Sequence, residues 1–300
     1  MPPPNIVFLG AASMDMIFSV ETLPVGAGKI LPRGLVQAAH GMATSAAAAV
    51  ARLGGRASLI TRIGADVMGD HFIAEIAAEG VDCRHVRRFE GVPTPLSAVI
   101  VDDAGERLIL PYYDRALGSD PGWIPADVIQ QADAVQVDIR WPEGAMLALK
   151  LAQQAGRLAV LDADTGPTDT IVALAEVASH TVFSEPAALQ VSGASAIPEA
   201  LPLLAQRVPG FVAVTGGPAG CFWIEDGTMR QAPPPPVKVV DTLAAGDVFH
   251  GAFTLALAEG QSIREAIVFA NAAAAIKCAS FGGRLGSPRR AEVKALLAGT

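Results

Sequence analysis

AVQVDIRWPEGAMLALKLAQQAGRLAVLDADTGPTDTIVALAEVASHTVF, residues 134–183, decides the fold class of this chain. Three short apolar runs, Ala134 to Val137, Leu158 to Leu161 and Thr181 to Phe183, alternate with two longer stretches, Pro142 to Gln154 and Thr168 to Ala178. Short continuous apolar runs read as buried strands, and the longer stretches have helix length, with proline at the start of the first. Strands separated by helices in this way pair in parallel through right-handed crossovers. An α/β chain with a mostly parallel central sheet flanked by helices is therefore predicted.

The pattern continues outward. On the N-terminal side come a strand from Asn5 to Gly10, a helix from Thr44 to Leu53 stopped by Gly54-Gly55, a strand from Ala57 to Thr61 and a helix from Met68 to Ala78. On the C-terminal side Phe211 to Thr215 ends in Gly216-Gly-Pro-Ala-Gly220, and Cys221 to Ile224 resumes extended structure. Helices are predicted near Gly246 to Ala258, Ile263 to Cys278 and Arg290 to Leu297. Two hairpins lie outside this alternation. Met16 to Glu21 pairs with Lys29 to Val36 across the turn-rich LPVGAG, and Ser97 to Asp102 pairs with Glu106 to Leu110 across Asp103-Ala-Gly105. They predict a small β lid formed by about 16–36 and 97–113. Gln231 to Pro236 reads as a surface connector, because proline supplies no N–H to a central strand. With no repeat or spacer, residues 1–300 read as one domain.

Composition narrows the function. Apolar residues make up 51% of the chain and charged ones 17%, so a large buried core is expected rather than extended disorder. A net charge of -8 argues against a nucleic-acid partner, since phosphate backbones are held by clustered Lys and Arg. Cys83, Cys221 and Cys278 are odd in number and lack metal-ligand spacing, which fits a reducing compartment without structural zinc. The start MPPPNIVFLG has no basic segment or long apolar core, and no apolar stretch reaches the ~18 residues of a membrane span. A cytoplasmic protein with small-molecule ligands and no membrane partner is expected.

Chemistry concentrates near the C-terminus. Asp241-Thr-Leu-Ala-Ala-Gly-Asp247, followed by the apolar run Val248 to Leu257, sets a carboxylate just inside a helix start behind a small-residue turn. The unpaired N–H groups and positive dipole of a helix's first turn attract phosphate, and small residues let the oxygens approach closely. Taken alone the stretch is equally an N-cap aspartate, worth ~1 kcal/mol. Ser13-Met-Asp15 follows the first strand at the edge where open α/β sheets bind ligands, so Asp15 is a candidate substrate contact or an Asx-turn residue. His71, His85 and His180 have no matching ligand pair, and His250 either reaches the Asp247 site or packs.

Five separate stretches in fixed order give the chain a resemblance to the ribokinase-like (PfkB-type) sugar kinases over nearly its whole length. They are Gly10 to Asp15, Gly41 to Gly54 with the ending ARLG, Gly64-Ala-Asp66 followed by Gly69, Thr215-Gly-Gly with Gly220, and DTLAAGD at 241–247. Within the family the chain is most similar to the sulfofructose kinase branch, through Val137 to Trp141, Leu161 to Asp164, Phe183 to Pro186, Gly246 to Gly251 and Lys277-Cys278. The resemblance implies a ribokinase-like fold, a β lid that pairs two copies into a homodimer, ATP with Mg²⁺, and γ-phosphoryl transfer to a sugar hydroxyl.

It also implies roles for residues. Asp247 is the expected catalytic base, and the backbone of Ala244, Ala245 and Gly246 the expected phosphoryl pocket. Thr215, Gly217 and Gly220 correspond to the ATP phosphate and ribose contacts and Asn271 to the adenine side, where a plain glycine turn and a helix-surface Asn are the other readings. The family's NxxE becomes Ser184-Glu185-Pro186-Ala187, so Glu185 with Asp162 or Asp164 is expected to order the water shell of Mg²⁺. On the sugar side stand Ser13, Asp15, Gly41, Ser45 and Asp138. His40-Gly41 replaces the usual Gly-Gly, Ser45 the usual Asn, and Met42 the Lys of ribokinases, all of which weaken a ribose reading. Arg140 is equipped for a sulfonate, carboxylate or phosphate through paired hydrogen bonds, or for an ion pair with Asp138, Glu143 or another acid. Ile109-Leu-Pro-Tyr-Tyr113 lacks the Asn of the sulfofructose branch, so the substrate stays open. Asp241, Leu243, Phe281, Gly283 and Ser287 correspond to a monovalent-cation (K⁺) site formed by main-chain carbonyls and an acid, where a plain loop over 282–287 is the other reading. A nucleoside kinase of the same fold and a non-catalytic sugar- or nucleotide-binding regulator are the alternatives, and a regulator has no need of Asp247.

Overall fold

Ile6 and Phe8 pack into one apolar cluster and Val7 and Leu9 into another, so the first strand is covered on both faces. Side chains that alternate across a strand require this when helices cover both sides of a parallel sheet. The computed structural model describes residues 2–299. Its strands are β1 Asn5–Leu9, β2 Ser13–Ser19, β3 Gly34–His40, β4 Arg56–Gly64, β5 Asp82–Phe89, β6 Leu96–Val101, β7 Arg107–Tyr112, β8 Ala134–Asp138, β9 Leu158–Ala163, β10 His180–Ser184, β11 Phe211–Thr215, β12 Cys221–Glu225 and β13 Thr228–Ala232. The helices are α1 Met42–Arg52, α2 Val67–Ala78, α3 Ala126–Gln130, α4 Pro142–Gln154, α5 Thr168–Ala175, α6 Glu185–Ser192, α7 Ile197–Arg207, α8 Ala245–Ala258, α9 Ile263–Cys278 and α10 Arg290–Ala298.

The main sheet runs β13-β12-β11-β10-β9-β8-β1-β4-β5, parallel except at β11-β12 and β12-β13. On one face α1, α8 and α9 bury Ala46, Ala47, Phe253 and Ala270 against Ile6 and Phe8. On the other, α4, α5 and α7 bury Leu149, Leu174 and Leu204 against Val7, Leu9 and Val137. Inside the first layer Thr254 of α8 donates to Gln136 Oε1 of β8 at 2.8 Å, which fixes α8 over the sheet centre. The N-terminus of α8 thereby lies at the C-terminal edge of the strands, where open α/β sheets form their ligand crevice.

A second, four-stranded sheet has the order β3-β2-β6-β7, with only β2-β6 parallel. Its inner side packs Ile17, Val99 and Val101 on Leu243, next to the start of α8. The hairpin strands differ from the sequence expectation. Ser13–Ser19 pairs with Gly34–His40, so Ser13 and Asp15 belong to a strand of this sheet rather than to a turn behind β1. Gly41 joins β3 to α1 at φ 110°, where a Cβ would stand 2.3 Å from Ala11 O, so only glycine allows this tight crossing. β5 and β13 were also unforeseen, since Asp82–Phe89 is largely charged and Thr228–Ala232 is mostly exposed at the sheet edge. No helix among the described residues is long and apolar enough to cross a membrane, and the three cysteines are free.

Candidate active site

Ala244 precedes α8 with a left-handed backbone, φ 63°, which only a small residue adopts at modest cost. Asp247 is thus the third residue of α8 and no N-cap, which sets aside the capping alternative. The N–H of Ala245 is taken by Thr242 O at 3.2 Å. Those of Ala244, Gly246 and Asp247 take no hydrogen bond among the described residues, so three donors remain at the positive end of the helix. A Cβ on Gly246 would meet nothing within 4 Å, so the space in front of these donors is open.

That space joins two cavities. A smaller one of about 400 Å³ is lined by Ser13, Asp15, Ser97, Arg140, Asp164 and Asp247 among others. A larger one of about 650 Å³ is lined by Gly217, Gly220, Phe249 and Asn271, and by Pro234 to Pro236. Arg107, Thr215, Thr242 and Gly246 line both, so the two meet at the first turn of α8.

The half-buried Asp247 carboxylate takes no hydrogen bond among the described residues. Burial first, then Asp162, Asp164 and Asp138, push its pKa up to about 8, against the pull of His250. Asp162 and Asp164, two residues apart at the end of β9, face the same cavity. Burial and its acidic neighbours raise Asp162 well above the usual carboxylate range. Asp164 accepts from Arg140 Nη2 at 2.8 Å and Ser184 Oγ at 3.0 Å. Buried His250 approaches Gly246 O with Nδ1 at 2.7 Å, and because a carbonyl only accepts, that nitrogen carries hydrogen. Glu185 does not line either cavity, whereas its neighbour Ser184 does, which moves the acidic wall of the cleft to Asp162 and Asp164.

On the opposite wall Ser13 Oγ donates to Asp15 Oδ1 at 2.7 Å, and His40 Nδ1 stands 3.5 Å from Asp15 Oδ2. Burial raises Asp15 to about 6, against hydrogen bonds from Ser13 and Ser97. Burial, with Arg284 and Lys277 nearby, lowers His40 to about 3, so the imidazole is neutral. Gly41 also lines this cavity. Two expected contacts do not. Asp138 is buried beneath the floor, its carboxylate accepting from the N–H groups of Ala11, Ala43 and Arg140 at 2.8–3.0 Å. It ties the end of β1 to the start of α1 and leaves little for a ligand. Ser45 is fully buried in α1, its Oγ without a partner.

Arg140 combines its two readings, reaching Asp164 and Thr165 O at 2.9 Å while lining the smaller cavity. In the larger cavity Thr215, Gly217, Gly220 and Asn271 come together. Asn271 is buried rather than a helix-surface residue, and its Nδ2 donates to Ala232 O at 2.7 Å. Pro234 to Pro236, expected as a plain surface connector, form part of this wall with Val237 and Val239. Arg107 escaped the sequence reading altogether. It reaches from β7 to Thr242 Oγ1 at 2.6 Å and so joins the second sheet to the loop before α8.

At the expected monovalent-cation ring the acid is already engaged. Asp241 Oδ1 accepts from Leu243 N–H at 2.7 Å, and Oδ2 from Gly282 and Gly283 N–H at 3.0 and 2.8 Å. Lys277 Nζ lies 3.4 Å from the same Oδ2. Phe281 packs on the second sheet's core, and Ser287 Oγ is buried without a partner. A protonated amine thus already stands where the acid of this ring would hold a free cation.

The model of the pfkB family of carbohydrate kinases matches residues 3–290. Ribokinase of Bacillus subtilis is 26% identical over 302 residues, covering 98% of this chain and 99% of its own. A candidate ribokinase from Agrobacterium tumefaciens has a crystal structure with TM-score 0.95 and 44% identity, covering 99% of this chain and 98% of that one. Ribokinase of Arabidopsis thaliana, solved in complex with ribose and ATP, superimposes with TM-score 0.85 at 25% identity, covering 99% of each chain.

Proposed function

This chain belongs to the pfkB family of carbohydrate kinases, phosphotransferases with an alcohol group as acceptor, and we propose that it transfers the γ-phosphoryl of ATP to a small sugar that carries an anionic group, such as a sulfonated ketose. The meeting of two cavities at Gly246, with Asp247 on the wall of the smaller, carries this reading. ATP takes the larger, proline-walled slot and the sugar the smaller, polar one. Phosphoryl transfer asks a protein mainly for alignment and charge stabilisation. The free N–H groups of Ala244 and Gly246 supply the second at the helix end. Asp247 takes the hydroxyl proton as the new O–P bond forms and the bond to the departing ADP breaks.

Asp162 and Asp164 supply hard oxygen donors that fit Mg²⁺, directly or through water. The ion, when bound, neutralises charge on the phosphates. Of Arg140's five N–H groups, the contacts to Asp164 and Thr165 use two, and the rest are free for an anion. We read the four-stranded sheet as a lid over the sugar. Its exposed Leu108, Leu110 and Tyr112 supply an apolar face for a second copy.

Acceptor-dependent ADP formation tests the reading, screened over ribose, fructose, 2-keto-3-deoxygluconate, sulfofructose and nucleosides. Arg140→Ala is expected to lower kcat/KM ~10–10²-fold more for anionic acceptors than for neutral ones, the shared part of the loss coming from its pair with Asp164. An equal loss for both kinds refutes the anionic assignment. Turnover confined to nucleosides replaces it with nucleoside phosphorylation.

A further inference from the structure

Lys277 is a buried charge that the proposed reaction does not use. Lysine is almost never fully buried unless paired, yet its side chain and that of Asp241 have no exposed surface. Lys277 Nζ donates to the main-chain carbonyl of Asp241 at 2.6 Å and lies 3.4 Å from the Asp241 carboxylate. The same carboxylate holds Leu243 N–H on one side and Gly282 and Gly283 N–H on the other. The N–H groups of Val240 and Asp241 bond Cys278 O, the residue next to Lys277. The end of α9, the turn at 282–283 and the loop leading to Ala244 are therefore one bonded unit, and the free donors of the phosphoryl pocket begin immediately after it.

A carboxylate oxygen and a carbonyl oxygen gathered around one positive charge are what a bound monovalent cation would need. Here the positive charge is on the chain itself. A free ion added at Asp241 would stand close to the ammonium with only one carboxylate to offset both charges, and in a buried site that repulsion is only weakly screened. Ser287 Oγ, without a partner among the described residues, and the main-chain carbonyls of the surrounding loops are neutral and cannot offset the second charge.

We infer that Lys277 is a tethered cation standing in place of K⁺ behind the phosphoryl-binding loop, so that the protein needs no free monovalent cation. Lys277 is a positioning residue, acting through Asp241 on the loop and touching no phosphate. The rate arm of its test rests on the kinase reading, and the melting arm does not.

The test compares the wild type and Lys277→Ala in potassium chloride and in tetramethylammonium chloride at equal ionic strength, reading turnover and melting temperature. The wild type is expected to show the same turnover and the same melting temperature in both salts. Removing the ammonium leaves Asp241 uncompensated beside a cavity, so Lys277→Ala is expected to lose ~10²-fold in kcat in tetramethylammonium. Potassium or methylammonium then restores much of it and raises the variant's melting temperature, because a ligand that binds only the folded state stabilises it. A general packing defect would not respond to the identity of the salt. Potassium stimulation of the wild type, or a potassium-dependent rise in its melting temperature, overturns the inference and can be read even if the variant does not fold. A folded Lys277→Ala indifferent to all three cations also overturns it. Absence of turnover with every acceptor fails the kinase reading alone and leaves the melting comparison to decide the role of Lys277.

Discussion

Asp247→Asn separates the catalytic from the structural consequences of one carboxylate. Its side chain takes no hydrogen bond among the described residues and borders an open cavity, so the near-isosteric amide changes charge and basicity with little change of shape. Removing a general base is expected to lower kcat by ~10²–10⁴-fold with ATP binding preserved. Stability should move the other way. The wild-type carboxyl rises from 3.8 to about 8 in the folded protein. Between those values the folded chain keeps a proton that the unfolded chain has released, so stability is full below the lower value and is lost as pH rises through the upper one. At 1.36 kcal/mol per unit the span sets an upper limit of ~6 kcal/mol, which solvent reaching the cleft reduces to ~1–3. An amide does not titrate, so the variant's advantage in urea unfolding should be near zero at pH 4, grow with pH and level off above pH 8. In the free wild-type enzyme kcat/KM should rise over the same upper range, since only the ionised carboxylate accepts a proton. A variant that keeps its turnover to within about tenfold would remove Asp247 from the chemistry. A stability difference independent of pH would refute the burial argument.

Gly220→Ala should destabilise by at least ~2 kcal/mol, measured by urea unfolding, and raise the KM for ATP. The backbone there has φ 82°, and a Cβ would lie 2.0 Å from the same Ala232 O that Asn271 holds at the nucleotide cavity. Asp164→Asn should raise the Mg²⁺ concentration needed for half-maximal turnover ~10-fold, while Glu185→Gln leaves it unchanged. The opposite ranking in a Mg²⁺ titration would return the metal role to Glu185.

Residues whose role is set by their own strand or helix were readable without coordinates. The alternation at 134–183 yields three strands and two helices because apolar periodicity is a local property, and the small-residue turn before Asp247 does open a helix whose first N–H groups face an open space. Roles set by distant partners were not readable. Asp138 was expected as a sugar contact, yet three main-chain amides from the loop after β1, from α1 and from its own loop converge on it. Nothing in Val137-Asp-Ile-Arg tells the direction of that carboxylate. The proline rule kept Pro233 to Pro236 out of the sheet, but the connector expected from Gln231 begins two residues later, since Gln231 and Ala232 pair in β13. It could not say that a chain barred from pairing would instead lie along α9 and wall a cavity with Asn271, Ala274 and Ala275. Arg107 and Thr242 lie 135 positions apart, and only the packing of β2 and β6 on Leu243, with β7 paired to β6, brings them together. Lys277 is the intermediate case. A lone lysine closing the run FANAAAAIKC sits on a helix otherwise dominated by small apolar residues, and a charge in such a run needs a buried counterpart. The acidic head of DTLAAGD was the available candidate. Burial demand read together with the phosphate motif could therefore have named this pair, because a cation required by packing and an acid required to hold a loop satisfy each other.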